Sequence, residues 1–234
     1  MSTALPGNEA GADPAPIQPI IYGLALLIYG AFFKLGGVRV YGRENVPRTG
    51  PVIIAPNHVS MLDPPLVGWI TPRVLRVMAK QELFGTETLP RRAFDVFIRG
   101  IGTFPVRRGR PDRRALRVAM AVLRRGNGLL LFPEGARSLD GTLGAAEPGV
   151  GMIAHSTKAP IVPVYLHGTG AAWSKQNPAL RPTPTEVHFG KPLHFAEEYA
   201  QKSNRDLVEK IGARVMTEIG ALRDQAQKQR SVIK

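Results

Sequence analysis

Short apolar runs recur along most of this chain, each bounded by Gly, Pro or polar clusters. Runs of four to six residues of this kind are the signature of buried strands. They predict strands over 38–41, 52–55, 74–79, 103–107, 128–132, 161–165 and 186–189. Between them lie segments whose apolar residues return every three or four positions, the period of a helix with one buried face. These predict helices over 64–69, 91–97, 113–125, 150–157 and 197–222. In the helix over 113–125, Asp112 can cap the start and Gly126 can end it. There Leu116, Met120 and Leu123 form an apolar stripe, with Arg113, Arg114, Arg117, Arg124 and Arg125 largely elsewhere on the circumference. In the last helix Leu207, Ile211, Val215 and Ile219 form a stripe suited to packing on a sheet. Strand–helix alternation of this kind predicts an α/β fold: a mixed, mostly parallel sheet of about seven strands flanked by helices.

The N-terminal part breaks the pattern. Residues 1–16 are small, Pro-rich and weakly acidic, and they predict a disordered tail. They carry no Lys or Arg, so the charged start of a secretory signal peptide is missing. Residues 17–36 predict a membrane-associated helix. From 20 to 33 there is no charge and the stretch is rich in Ile, Leu and aromatics. Pro19 can start the helix, Gly36 and Gly37 can end it, and Lys34 can reach head groups. Spanning a bilayer takes about 20 apolar residues, so this segment is short. An interfacial or re-entrant helix, a single span and a buried core helix all remain open. If it spans, the basic residues that follow put the main domain, 37–225, in the cytoplasm at the cell membrane. The end of the chain, 226–234, is expected to fray.

Composition narrows the class. With 234 residues the chain holds one domain and a short appendage. A 44% apolar content with 21% charged residues marks it as globular. There is no cysteine, which excludes thiol catalysis, disulfides and Cys-ligated zinc. The net charge is +13 and unevenly spread: Arg73 to Arg125 holds 14 Lys or Arg against 4 Asp or Glu, a local excess of 10. Such an excess attracts anionic lipid surfaces, phosphorylated substrates or nucleic acid. Readers of single-stranded nucleic acid interleave aromatics with their basic residues. Between 99 and 125 only Phe104 is aromatic, so nucleic acid is not the expected partner.

Two strand exits carry the candidate chemistry. After the run ending at Ala55 comes Asn57-His58-Val59-Ser60-Met61-Leu62-Asp63; after the run ending at Leu131 comes Phe132-Pro133-Glu134-Gly135-Ala136-Arg137-Ser138. Open α/β sheets bind ligands at such exits. His58 and Asp63 are five apart, which on one helix would place them about 140° from each other. They can meet only if the chain turns between them. Pro64 and Pro65 favour that turn, with Asp63 at a helix start as its cap. A carboxylate on one imidazole nitrogen fixes the tautomer and equips the other nitrogen as a general base. Asn57 and Ser60 are read as shaping the turn. His155, His167, His188 and His194 show no metal-ligand spacing and are read as structural or surface, so no metal is expected.

Asn57-His58-x-Ser60-x-x-Asp63 resembles the His-x4-Asp signature of the glycerolipid acyltransferases, in the form common among 1-acylglycerol-3-phosphate acyltransferases. Three further blocks follow in that family's order. Gly102-Thr103-Phe104-Pro105-Val106-Arg107-Arg108-Gly109 is similar to the second motif, Phe132 to Ser138 to the third, and Ile161-Val162-Pro163-Val164 to the apolar fourth. The resemblance covers about 40–195.

The resemblance implies transfer of a fatty acyl group from an acyl-CoA or acyl-carrier-protein thioester to a lysophospholipid hydroxyl, with no cofactor. His58 would be the base and Asp63 its orienting partner. Arg108 best matches the second-motif substrate-binding Arg, with Arg107 open as the alternative, and Arg137 matches the third-motif one. Glu134 and Gly135 would shape the same pocket. The family attacks directly, although Ser60 leaves a covalent route formally open. An anionic membrane surface is the expected setting. The acceptor could instead be another lysophospholipid, glycerol 3-phosphate or a glycolipid, and a non-catalytic basic binding module is the reading from a different class. The chain departs from the family at Arg107, where an acidic or polar residue is common, and at Ala136, where Thr is frequent. Glu147-Pro148-Gly149 replaces a Lys that often precedes a helix-opening Gly.

Overall fold

The computed structural model describes residues 14–107, 112–174 and 176–233. All seven expected strands form: β1 (Arg39–Tyr41), β2 (Val52–Pro56), β3 (Leu75–Lys80), β4 (Thr103–Val106), β5 (Gly128–Leu130), β6 (Ile161–His167) and β7 (Glu186–Phe189). They make one sheet in the order β1-β7-β6-β2-β5-β3-β4. From β6 to β4 every pair is parallel. β7 runs against β6, and β1 runs parallel to β7.

The centre of the sheet is buried on both faces, which is why its strands read as continuous apolar runs. Residues of β2 alternate between two cores. Ile53 and Ala55 face one, with Leu129, Ile161 and Tyr165. Val52 and Ile54 face the other, with Leu75, Leu130, Val162 and Val164. The first core is covered by α4 (Arg113–Arg124), α5 (Pro148–Thr157) and α8 (Arg205–Ile233). The second is covered by α1 (Pro19–Leu35) and α2 (Asp63–Ile70), with Phe33 of α1 stacked on Trp69 of α2. α3 (Leu89–Gly100) leads into β4, and Ile21 of α1 packs over its last residue, Gly100. Two short helices, α6 (Thr169–Ala172) and α7 (Ala196–Ala200), complete the set.

Close helix packing has a local cause at Gly151. A Cβ there would sit 2.1 Å from the Val208 carbonyl oxygen, so only glycine lets α5 meet the start of α8 at this distance.

Four expectations change in detail. The stripe of α4 is centred on Ala115, Val118, Ala119, Val122 and Leu123, while Leu116 and Met120 are half-buried at its margins. Small residues at the centre let the helix lie close to the sheet, which pushes the larger side chains to the flanks. The single helix expected over 197–222 is two, because Asn204 accepts from the Leu207 amide at 2.8 Å and starts α8 afresh. The end does not fray at 226: α8 runs to Ile233, with Ala226 fully buried and Arg230 bonded to Glu186. The tail expected over 1–16 lies outside the described residues up to 13, but Ala15 is already tied to the body, accepting from Arg76 at 2.7 Å.

α1 forms where the sequence placed it, but its setting is that of a surface helix. One face packs on α2 and α3. Ile20, Leu24, Leu27, Ile28 and Leu35 on the other face are exposed. No helix among the described residues is long and apolar enough to cross a membrane.

Candidate active site

β2, β5, β3 and β4 are parallel, so their C-terminal ends share one edge of the sheet. Both motif loops leave from that edge. The His58 ring donates from Nδ1 to Asp63 Oδ2 at 2.8 Å. That bond assigns the tautomer: an ionised carboxylate only accepts, so the proton is on Nδ1 and Nε2 carries a lone pair. Nε2 has no hydrogen-bond partner among the described residues. His58 is 5% exposed and Asp63 0%. The imidazole also stacks on Phe132, with centroids 3.9 Å apart, which fixes its plane.

Asp63 is the first residue of α2 rather than its cap. Pro64 and Pro65 follow it and have no N–H, so the nearest donors of the new helix are missing. The carboxylate turns back instead, and Oδ2 accepts from the Val59 and Ser60 amides at 2.7 Å each. One oxygen thus holds the ring and the two amides that follow it, while Oδ1 is buried without a partner among the described residues. A buried, half-satisfied carboxylate is costly, so it binds its few partners tightly and fixes the turn.

Asn57 and Ser60 anchor this turn to neighbouring elements. The Asn57 amide acts as an extra ladder rung to β6: Oδ1 accepts from the Leu166 N–H at 2.7 Å, and Nδ2 donates to the Leu166 carbonyl at 3.2 Å. Ser60 Oγ accepts from the Leu62 amide at 3.0 Å and donates to the Trp173 carbonyl.

The second loop is joined to the first through main chain. Glu134 Oε1 accepts from the His58 amide at 3.1 Å, and Oε2 accepts from the Gly144 amide at 3.0 Å. The Ser138 amide donates to the His58 carbonyl at 2.7 Å. His58 is therefore held at its ring, its N–H and its C=O. Gly135 makes the bend possible: its φ is +67°, and a Cβ would meet Glu147 Cγ at 2.7 Å. Arg137 is half-buried, adjoins Ser138, and has no ion-pair or hydrogen-bond partner among the described residues. Beyond it, Asp140 closes its own turn. The Thr142 hydroxyl and amide and the Ser138 hydroxyl hold its carboxyl at about 2.

Arg107 is placed differently. β4 lies three strands from β2, about 14 Å along the same edge at the usual inter-strand spacing. Its Nε donates to Gln81 at 2.7 Å and its amide donates to Asp112 at 2.9 Å. Arg108 lies outside the described residues, as does Arg110.

The structure thus gathers His58, Asp63, Asn57, Ser60, Glu134, Gly135 and the Arg137 backbone in one loop cluster and leaves Arg107 at the rim. Three supports were not legible: the Phe132 platform, the Trp173 carbonyl, and the use of Glu134 as a main-chain clamp. Phe132 alone left a signal, as an aromatic where β5 meets its loop. An open apolar groove of about 470 Å³ lies elsewhere, lined by Tyr22, Val74 and Asn127 at the N-terminal ends of β3 and β5. It is at the opposite edge of the sheet from His58.

Known proteins resemble this chain in sequence and in fold. The chain is 30% identical over 163 residues to the 1-acyl-sn-glycerol-3-phosphate acyltransferase of Bacillus subtilis, which is 69% of this chain and 76% of that protein. It is 31% identical over 160 residues to the protein of the same name from Cocos nucifera, covering 63% of this chain and 47% of that one. The chain therefore spans about three quarters of the bacterial relative and about half of the plant one. Among solved structures it is similar to the 1-acyl-sn-glycerophosphate (LPA) acyltransferase, PlsC, from Thermotoga maritima, with TM-score 0.63 and 27% identity over 87% of this chain and 79% of that one. Residues 37–167, which include both loops, match the family model described as Acyltransferase. With its sheet, its two strand-exit loops and these relatives, the chain belongs to the acyltransferase family.

Proposed function

We propose that this protein moves a fatty acyl group from a CoA or carrier-protein thioester to the free hydroxyl of 1-acyl-glycerol-3-phosphate, giving phosphatidic acid. The observation that carries the reading is the buried His58–Asp63 pair, with Nε2 free to accept a proton. The acceptor hydroxyl gives its proton to Nε2 as its oxygen attacks the thioester carbonyl. The tetrahedral intermediate then collapses, the C–S bond breaks, and the imidazolium returns the proton to the leaving sulfur. Asp63 keeps Nδ1 protonated and stabilises the imidazolium while it lasts. A base of this kind supplies about 10² to 10⁴ in rate. No protein cofactor is needed, because the donor arrives activated.

Phosphate binding falls to arginine, whose planar fork matches two phosphate oxygens. Arg137, beside the catalytic loop and without a partner among the described residues, is the principal candidate; Arg107 at the rim and its sequence neighbour Arg108 are the others. Glu134 acts as a positioning residue that holds the His58 main chain.

The setting is the cytoplasmic face of the cell membrane. Ile20, Leu24, Leu27, Ile28 and Leu35 lie on one side of α1, an apolar stripe ending beside exposed Lys34. A stripe of this kind rests in the head-group region, and the anionic cytoplasmic leaflet attracts the basic domain beside it.

The test is direct. Purified protein is incubated with oleoyl-CoA and lysophosphatidic acid in mixed micelles, and thiol release is followed. Release that is lost in His58→Ala is expected. No release from any long-chain thioester, in detergent or lipid, would overturn the reading. In a panel of acceptors, preference for a non-phosphorylated one would overturn the role of Arg137.

A further inference from the structure

The exposed side of α4 carries a charge pattern that neither the fold nor the site uses. Arg113, Arg117 and Arg124 lie within about 40° of one another on the helix, at i, i+4 and i+11, with half-buried Met120 between them. Arg114 flanks them. The stripe is about 16 Å long at 1.5 Å per residue. α4 has no Asp or Glu, and Asp112 is occupied with the Arg107, Arg114 and Ala115 amides. Arg113, Arg114, Arg117 and Arg124 are exposed, and none of their guanidiniums has an ion pair or hydrogen bond among the described residues.

Helix stability does not call for this pattern. Arg113 and Arg114 occupy the first turn, where the macrodipole disfavours cations, and Arg113 and Arg117 are a like-charged i, i+4 pair. Their placement costs the helix something and gains it nothing, which points to a partner outside the chain.

From this placement we infer that the arginine stripe of α4 is the docking surface for an acidic, helical carrier protein that delivers the acyl thioester. The inference rests on the transferase reading above. Three guanidiniums in a line on a convex helix, with Arg114 beside them, match an extended row of carboxylates. A compact anion such as the nucleotide end of CoA would call for converging donors in a concavity. A membrane fits the stripe poorly. α4 covers one core of the sheet, and the exposed apolar face of α1 belongs to the layer over the other. No large apolar side chain of α4 is exposed to enter a bilayer. The stripe also starts at the right place. β4 ends at Val106 on the sheet edge that carries His58, and Asp112, just before Arg113, accepts from the Arg107 amide at that end. A carrier seated on α4 holds its thioester arm within reach of that edge.

The test uses full-length protein with three reversals, Arg113→Glu, Arg117→Glu and Arg124→Glu. Its comparison is a second triple, Lys191→Glu, Lys202→Glu and Lys228→Glu, which has the same net charge and leaves α4 intact. Each is assayed with oleoyl-CoA and with the same chain on an acidic acyl carrier protein. The α4 triple should lose about 10- to 100-fold in kcat/KM for the carrier-borne donor, the range expected when steering charges are reversed. Its kcat/KM for oleoyl-CoA should stay at the wild-type value, and the lysine triple should keep both. Binding of the unacylated carrier, read by fluorescence anisotropy at low salt, should disappear in the α4 triple alone. Equal losses with both donors, or none with either, would overturn the docking surface. So would loss of binding to anionic vesicles without donor discrimination, which would make α4 a membrane contact. If wild type transfers from neither donor yet binds the carrier through α4, the transferase reading fails and the docking surface stands.

Discussion

Two histidines in this molecule look alike and are held in different settings. His58 and His188 are each 5% exposed. Each has a carboxylate partner, and each stacks on an aromatic ring, Phe132 for the first and Tyr41 for the second. The difference is in the carboxylate. Among the described residues Asp63 faces no cation besides that ring: its one bonded oxygen serves the imidazole and two amides, and the bond to His58 is 2.8 Å. Glu186 faces three partners. Arg230 donates to it at 2.7 Å, Arg39 is 3.9 Å away, and His188 is the weakly bonded third at 3.4 Å. Position differs too. His58 leaves a strand end in a loop, with Nε2 uncommitted, whereas His188 lies within β7 and spends Nε2 on Glu186. A histidine–carboxylate contact therefore does not by itself mark a base. The carboxylate must be free of competing cations, and the far nitrogen must be left open.

The largest effect expected from this comparison is on turnover. His58→Ala should lower kcat by about 10² to 10⁴, the share a general base supplies. His188→Ala should keep wild-type kcat and lose stability instead. Stopped-time assays paired with thermal melts separate the two. Equal kcat losses in both variants would erase the distinction.

Asp63→Asn sharpens the same contrast. The Asn oxygen can still accept from the Val59 and Ser60 amides, so the turn survives. That same oxygen still faces Nδ1, and the NH₂ takes the place of Oδ1, so the tautomer is kept and what is lost is the negative charge that stabilises the imidazolium. A loss of about 10² to 10³ in kcat with little change in KM is expected, part of what a general base supplies. A KM effect alone would mean that Asp63 only shapes the loop.

Glu134→Gln is a smaller step. The amide still offers one oxygen, so only one of the two main-chain bonds, to His58 or to Gly144, survives. Losing a charge-assisted bond of about 1.5 to 3 kcal/mol loosens the catalytic loop. A 10-fold to 100-fold fall in kcat, with KM for the acceptor little changed, would mark Glu134 as a positioning residue. A rise in KM with kcat preserved would return it to substrate binding.

What the sequence made legible follows from range. Strands buried on both faces announce themselves locally, so β2, β5 and β6 are readable from single apolar runs. The His58–Asp63 meeting was readable because five residues and two prolines determine it. Glu134 against the His58 amide spans 76 residues, and Asn57 against Leu166 spans 109. No local pattern encodes a pairing that depends on where two loops arrive. The end of α8 was misjudged for the same reason. Its last turns are polar and look frayed, but Ala226 is covered and Arg230 reaches Glu186 on a strand 44 residues earlier. On α4 size misleads: Leu116 and Met120 are the large apolar residues, yet the small residues Ala115 and Ala119 are the buried ones and decide how closely the helix seats.

The smallest effect concerns stability against pH, and it belongs to the His188 side of the comparison. Burial pushes the pKa of His188 below the ordinary 6.5, Arg230 adds to this, and Glu186 offsets only part. His167 is lowered in the same way, by burial first and then by Arg230. Burial raises the pKa of Glu186, but the hydrogen bonds from Arg230 and His188 outweigh it and hold the pKa below the ordinary 4.5. Below pH 6.5 the unfolded chain takes protons on both histidines that the folded chain resists. The unfolded state then binds more protons, so stability falls as pH drops. The Glu186 contribution is fully present above pH 4.5 and is lost as pH falls through its folded value. The two steps have the same sign and separate windows. Urea midpoints measured from pH 8 to pH 4 should decline from about 6.5 downward and steepen below about 4.5. In Glu186→Gln the unfolding free energy at pH 7 should already be lower, by roughly 1 to 3 kcal/mol, because Arg230 loses its charged partner. The steepening below 4.5 should shrink with it, while kcat at pH 7 stays at the wild-type value. A wild-type midpoint that is flat or rises between pH 6.5 and 5 would remove the strained pair from His188, and with it the contrast to His58.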